Sequence, residues 1–447
     1  MTFPRVKELL WGDGVRRTRT AIAVAFLVAC VAYLLVVHYA GIETEVIRDR
    51  YWKNAVPFFT ADFPVMEYPP LAIVIIAIPY LFGNTPWGYE TAYVAMAYVF
   101  MVAGLFLISR LARAVGHEEK RPMIAYGILM MLMLEFVLDR FDVFVMVITL
   151  AAVVMMVEKR YPWAFLLLAL GTLVKVYPAI LFPIFFLYLL YNRRPGDAVL
   201  GFGIYTATGL VITALCWFIN PDIILNFIGY NGGRSLQIES VAASVVYFLG
   251  VLGLTDVSIA GASEATSWSD NLVGAVPDAL ATILLPLMVV CVVAIWVLYA
   301  VKRARGDGDR NMRLFALACV ACLLMFLVVN KVYSSQYIIW LIGALIFLVL
   351  VSDFSFNKRM VALTVAIILF TQLNFAYNIG YLGGGENIDT LGMGIILVRN
   401  LLTVAMLVVV LREMAVVGSG AEPEGWDPWR LRSAAPRTTR TRLPRVK

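Results

Sequence analysis

Charged residues are scarce in this sequence: Asp, Glu, Lys and Arg make up 15% of its 447 residues, where soluble domains carry about 25%. That shortage, with 62% hydrophobic residues and a mean hydropathy of +0.84, excludes an ordinary soluble domain and points to a polytopic membrane protein. Histidine is nearly absent. His38 and His117 fall on opposite sides of the topology derived below, so a histidine-built metal centre is not supported. The five cysteines (Cys30, Cys216, Cys291, Cys319, Cys322) all sit in apolar stretches. Cys319 and Cys322 have CxxC spacing but no His or further Cys nearby, and buried packing is the better reading. No tandem repeat is visible, and no polar stretch leaves room for a second soluble domain. A net charge of +6 would suggest nucleic acid in a soluble protein. Here most Lys and Arg lie in short loops and near the C-terminus, as in cytoplasmic loops, and no nucleic-acid partner is expected.

What is present in quantity is apolar sequence broken by short polar turns. A spanning helix needs about 20 apolar residues, and basic residues mark its cytoplasmic end. Arg16, Arg17 and Arg19 precede a first span over 20–40, read as a retained anchor, which puts the N-terminal stretch 1–19 inside. The apolar piece Pro69 to Gly83 is short and opens on two prolines. If it crossed, Arg110, Arg113, Lys120 and Arg121 would fall outside; laid along the external interface, it leaves them inside and every later loop agrees. The expected fold is therefore an all-α integral membrane bundle of about twelve spans, near 20–40, 90–110, 122–138, 142–157, 161–176, 178–192, 198–219, 278–301, 313–330, 338–352, 360–377 and 389–412. One domain, 20–412, carries external loops at 41–89, with interfacial helices, and at 220–277, with an interfacial helix near 240–253. Residues 413–447, rich in Arg, Pro, Ser and Thr, read as a disordered basic cytoplasmic tail.

This topology gathers three polar clusters on the external side: Asp139-Arg140-Phe141-Asp142, Lys175-Val176-Tyr177-Pro178, and Asn330 to Tyr337. Charge beside hydrocarbon is expensive, so the convergence marks a site for an anionic substrate. The first external loop adds Glu43, Glu45, Asp49, Asp62 and Glu67, any of which could serve as a general base or merely solvate the loop. Lys175 and Lys331, with Arg140 as a third, are the cations suited to an anionic substrate, although Lys175 is also placed to snorkel to the headgroups. Asp142 is read either as a substrate-positioning carboxylate or as the partner of Arg140. Tyr68, Tyr177 and Tyr337 suit stacking on a substrate ring, and equally an interfacial aromatic belt. Arg399, beside Asn400 in mid-span, is a site residue or a structural link to Asp389 or Glu135.

The combination resembles polyprenyl-phosphate-dependent glycosyltransferases of the GT-C fold, and within them glycosyltransferase family 87, whose members are mannosyltransferase-like. The residues that carry the resemblance are Asp49-Arg50-Tyr51-Trp52-Lys53-Asn54-Ala55, with Trp52 where the family has Tyr, and Glu67-Tyr68-Pro69-Pro70-Leu71. Arg140-Phe141-Asp142, Lys175-Val176-Tyr177-Pro178 and Asn330 to Tyr337 follow in the same order, with Ser335 where the family has proline. The resemblance implies transfer of a hexose, mannose above others, from a polyprenyl or dolichyl monophosphate to a glycan, glycolipid or protein acceptor. The transfer would take place on the external face of the cell membrane, by inverting single displacement. Asp49 matches the first-loop aspartate that serves as catalytic base, with Glu67 and Asp142 as further catalytic carboxylates. Arg140, Lys175, Tyr177, Asn330, Lys331, Gln336 and Tyr337 are the expected substrate-binding residues. No cofactor is firmly implied; the sequence leaves room for Mg²⁺ or Mn²⁺ between Asp49 and Asp142.

The rival readings are a twelve-span secondary transporter and a flippase for a lipid-linked sugar. Transporters favour matched inverted halves and midplane sites. The polar clusters here crowd one face and no halves match, while Arg399 at mid-depth keeps the transporter in play.

Overall fold

A computed structural model describes residues 13–41, 44, 46–60, 63–261, 269–302, 308–378 and 389–419. Glu43, Glu45, Asp62 and residues 420–447 of the expected tail lie outside the described residues. The chain opens with α1 (Asp13–Ala40), a π-helical turn (Val46–Trp52), α2 (Lys53–Phe59), α3 (Ala72–Ala77) with a 3₁₀ turn (Ile78–Leu81), and α4 (Pro86–Ala114). Next come α5 (Lys120–Leu132), α6 (Leu134–Asp139), α7 (Asp142–Val157), α8 (Tyr161–Val174), a 3₁₀ turn (Tyr177–Leu181), α9 (Phe182–Tyr191) and α10 (Pro195–Ile219). After α10 the chain forms α11 (Asp222–Gly233), β1 (Leu236–Gln237), α12 (Val241–Val251), β2 (Ser258–Ala260) and β3 (Asn271–Val273). The three strands make a small antiparallel sheet in the order β1-β3-β2. The chain closes with α13 (Ala275–Val301), α14 (Gly308–Val329), a 3₁₀ turn (Ser335–Ile338), α15 (Ile339–Leu350), α16 (Phe354–Asn378) and α17 (Thr390–Ser419).

The protein is an all-α multi-pass membrane protein. Among the described residues seven helices are long and apolar enough to cross a bilayer: α1, α4, α10, α13, α14, α16 and α17. The expected spans at 142–157, 161–176, 178–192 and 338–352 are apolar but shorter helices, and the one at 122–138 breaks at Met133 into α5 and α6. The shortening has a local cause. These helices stop at the polar turns around Arg140, Lys175, Ser335 and Met133, and such non-helical backbone needs a protein or aqueous partner. At the break, Gln372 donates from its side chain to the Leu132 carbonyl at 2.6 Å.

Helix α7 is apolar all round, and nearly every residue along it is buried, which makes it the centre of the bundle. Helices α14 and α15 pack with it in one continuous core. Helix α10 is the opposite case: apolar along its length, it buries only Ala198, Gly201 and Cys216, as expected for a face turned to lipid. Helices α1 and α4 run antiparallel. Arg19 of α1 reaches Ser109 near the end of α4 at 2.8 Å, while His38 meets Trp87 at its start.

Charges sort to the two ends of this bundle. At one end they neutralise each other, through Arg110 with Glu158, Arg19 and Arg113 with Glu119, and Arg313 with both Asp353 and Glu413. At the other end a cavity opens.

Close helix packing supports this arrangement at Gly104, where an added Cβ would lie 2.1 Å from the hydroxyl of buried Tyr126. Gly104→Ala is expected to lower stability by about 1–3 kcal/mol through overpacking. Thermal unfolding in nanodiscs measures it, and an unchanged midpoint would contradict the α4–α5 packing.

Candidate active site

The cavity has a volume of about 610 Å³ and is walled by the turns at the ends of α6, α8, α11, α14 and α16, by the first loop, and by residues 237–239. Its first wall is built on Asp142, the opening residue of α7, where a carboxylate also suits the helix dipole. Lys175 Nζ lies 2.6 Å from Asp142 Oδ1, and the Trp340 indole N–H donates to the same oxygen at 2.5 Å. Asp142 Oδ2 is buried without a hydrogen-bond partner among the described residues. Trp340 is fixed in turn by stacking on Tyr177 and Tyr337, with centroids at 4.3 and 4.0 Å. Lys175 sits over the rings of Phe141, Tyr337 and Trp340, so it points into an aromatic box rather than out to headgroups. The expected alternative of an Arg140–Asp142 pair is corrected here: Arg140 pairs with Asp139 and leaves Asp142 to Lys175.

The second wall comes from the first loop. Arg48 and Thr44 bind the fully buried Glu90 of α4, each at 2.8 Å, which anchors the loop to the bundle. The π-helical turn then places Val46, Arg50 and Tyr51 towards the cavity. Arg50 pairs with Glu67, and both line the cavity. Turning that face inward carries Asp49 away from it. Asp49 is 43% exposed, pairs with Lys53 one turn on at 2.6 Å, and is not part of the cavity wall. The structure therefore gathers Glu67 and Asp142 but not Asp49, and Arg50 stands where sequence reasoning had put its neighbour.

The third wall holds Asn330, Lys331, Gln336 and Tyr337. Gln237 ties this turn to the long loop: its amide donates to Ser334 Oγ and its side-chain carbonyl accepts from Tyr333 N–H, both at 2.8 Å. Lys331 Nζ donates to the Gly232 carbonyl at the end of α11 at 2.9 Å, and Arg234 donates to Ser269 at 2.8 Å. Neither cation has a carboxylate partner among the described residues. Burial, and then the neighbouring charge of Arg234, hold the Lys331 ammonium below its ordinary pKa. Two such cations on a partly apolar wall give this side of the cavity a positive potential, which is chemistry suited to an anion.

Sequence reasoning missed Arg50, Trp340 and Glu239 as cavity residues, and gave Arg234 no role. Arg234 carried a signal in the Asn231-Gly232-Gly233-Arg234 stretch at the end of α11, and Arg50 lay inside the quoted first-loop motif without a role of its own. Trp340 sits in an unbroken apolar run, and its role appears only through its contact with Asp142. Among the described residues no three His, Cys, Asp or Glu side chains gather as a metal site, and Asp49 does not share the cavity with Asp142.

The family model described as Glycosyltransferase family 87 matches residues 67–329 of the chain. No curated protein matches it. The matched stretch starts at Glu67, includes Asp142, Lys175 and Arg234, and ends two residues before Lys331.

The Lys331 shift gives a signed pH dependence. Anion binding that relies on its ammonium is complete below the depressed pKa and lost as pH rises through it, earlier than for a lysine at the ordinary 10.5. Lys331→Arg, whose guanidinium stays protonated, should remove that alkaline loss. Titrating inorganic phosphate binding against pH tests this, and identical profiles for both proteins would contradict it.

Proposed function

We propose a specific reaction for this chain, which belongs to glycosyltransferase family 87 and is a glycosyltransferase: transfer of a hexose, mannose by the family resemblance, from a polyprenyl or dolichyl monophosphate carrier to a glycan, glycolipid or protein acceptor. The proposal includes a GT-C bundle of about twelve passes, with α5–α6, α7, α8, α9 and α15 as the five shorter ones. It also places both ends of the domain on the cytoplasmic side of the cell membrane and the cavity on its external face. The positive-inside rule supports this orientation, because Arg110, Arg113, Lys159, Arg160, Arg193 and Arg194 lie at helix ends away from the cavity turns.

The observation that carries the reading is the Lys331–Arg234 pair of cations, which have no carboxylate partner among the described residues. A lipid-phosphate donor is a phosphodiester at C1 of its sugar. The acceptor hydroxyl gives its proton to a carboxylate while its oxygen attacks C1. The C1–O bond to phosphate breaks, and the anionic lipid phosphate departs with inversion at C1. Fixed cations in a water-poor cavity stabilise that leaving group without reorganising, and Lys331 and Arg234 are free to do so. Arg140 and Lys175 stand on the facing wall. For the base, the free and buried Oδ2 of Asp142 is better placed than Glu67, which Arg50 engages, or Asp49, which stands outside. A transporter or flippase would need none of this and would release no lipid phosphate.

The test is purified protein with synthetic polyprenyl-phosphate mannose. Asp142→Asn should cut transfer by about 10²–10⁴-fold, the worth of a general base, with Asp49→Asn far milder. Lys331→Ala should weaken donor binding by about 1–3 kcal/mol. Loss of transfer in Asp49→Asn with near-normal Asp142→Asn would return the base to the first loop. Retained anomeric configuration in the product would contradict single displacement.

A further inference from the structure

Arg399 is fully buried in the apolar helix α17, and the expected links to Asp389 or Glu135 are not the ones it makes. Its Nη1 lies 2.7 Å from Glu239 Oε2 and 3.1 Å from Ser335 Oγ, and its Nη2 donates to the Glu239 carbonyl at 2.6 Å. The guanidinium plane rests 4.4 Å from the Tyr333 ring. Asn400 secures the same backbone, donating to the carbonyls of Glu239 and Ser240 at 3.2 and 3.1 Å.

The result at Glu239 is asymmetric. Oε2 accepts from Arg399, from the Ser335 hydroxyl at 2.6 Å and from Asn374 at 3.3 Å. Oε1 has no hydrogen bond among the described residues, and the side chain, 15% exposed, lines the cavity beside Ser335, Asn374 and Asn378. Burying an arginine in an apolar bundle is costly, and an ion pair there seldom stabilises relative to apolar packing. Its presence behind one cavity carboxylate therefore suggests a task for that carboxylate.

The chemistry of this corner differs from the Lys331 wall. Arg399 cancels the charge of Glu239, so the corner is neutral overall while offering an open carboxylate oxygen; the amides of Asn374 and Asn378 are held by Glu239, Ser335, the Gly392 carbonyl and each other. Such a corner suits neighbouring hydroxyls of a neutral polyol and has no attraction for an anion. Ser335, the residue that stands where the family motif has proline, supplies a hydroxyl that proline could not, and it locks Glu239 in place.

We propose that Glu239 is the hydroxyl-binding carboxylate of an acceptor subsite for a carbohydrate, with Arg399 and Ser335 as its positioning residues. The inference rests on the transferase reading of the cavity and narrows the acceptor to a sugar-bearing molecule.

Saturation-transfer NMR on nanodisc protein with methyl α-mannoside, methyl α-glucoside and methyl α-galactoside tests it without any donor. At least one glycoside should bind the wild type, and Glu239→Gln should weaken it by about tenfold or more, the loss of one charged hydrogen-bond acceptor. Arg399→Gln should lower Tm by leaving Glu239 buried beside an amide. The double variant, Glu239→Gln with Arg399→Gln, should regain much of the Tm but not the sugar binding. Three outcomes overturn the inference: no glycoside bound by wild type, wild-type affinity in Glu239→Gln, or sugar binding restored with Tm in the double variant. Donor turnover with any of these would sink this inference alone, whereas sugar binding with an inert donor would sink the donor reading alone.

Discussion

The cost of placing charge inside an apolar helical bundle governs this structure. Every ionised side chain between the helices must find a partner or face water, and the chain does each at a different end. At the end away from the cavity, Arg19, Arg110, Arg113 and Arg313 are all neutralised by Glu or Asp. At the cavity end the pairing is incomplete: among the described residues Lys331 and Arg234 have no carboxylate partner, and Asp142 keeps one oxygen without a hydrogen bond. Those leftovers are the groups on which the proposed phosphate-releasing transfer rests.

How the leftovers are held explains why the bundle departs from regular spans. Asp142 is fixed by contacts with Lys175 and Trp340, which lie 33 and 198 residues further along the chain. Bringing them together requires α7, α8 and α15 to end early in non-helical turns around one cavity. The first loop meets the same requirement through Glu90, whose buried carboxylate receives Arg48 and Thr44 and so sets which face of the π-helical turn looks inward. The cavity that results is divided, with cations on the Lys331 wall and a neutral, amide-rich corner at Glu239.

Much of this was legible in sequence because polar residues that interrupt apolar runs announce themselves. Asp142, Lys175 and the Asn330–Tyr337 turn are cavity walls, as the topology argument expected. Glycosyltransferase family 87 was legible from those same turns, and the family model matches 67–329. What periodicity could not give was the rotation of a short helix. Asp49 and Arg50 are neighbours in sequence, yet only Arg50 reaches the cavity, because the loop's orientation depends on Glu90 some forty residues away. Trp340 was hidden in apolar sequence, and although Arg399 stood out in mid-span, its partner Glu239, 160 residues away, carries no local mark. Twelve spans read from hydropathy met seven long helices among the described residues, because hydropathy does not register where a helix stops to line a pocket.

The central claim is the location of the phosphate. A cryo-electron microscopy structure of the protein in nanodiscs, bound to an unreactive phosphonate analogue of a polyprenyl-phosphate sugar, tests it most directly. The account predicts the phosphonate within hydrogen-bond reach of Lys331 and Arg234, with the sugar turned towards Asp142. Density for the headgroup at the other end of the bundle, against Arg110 and Lys159, would contradict it.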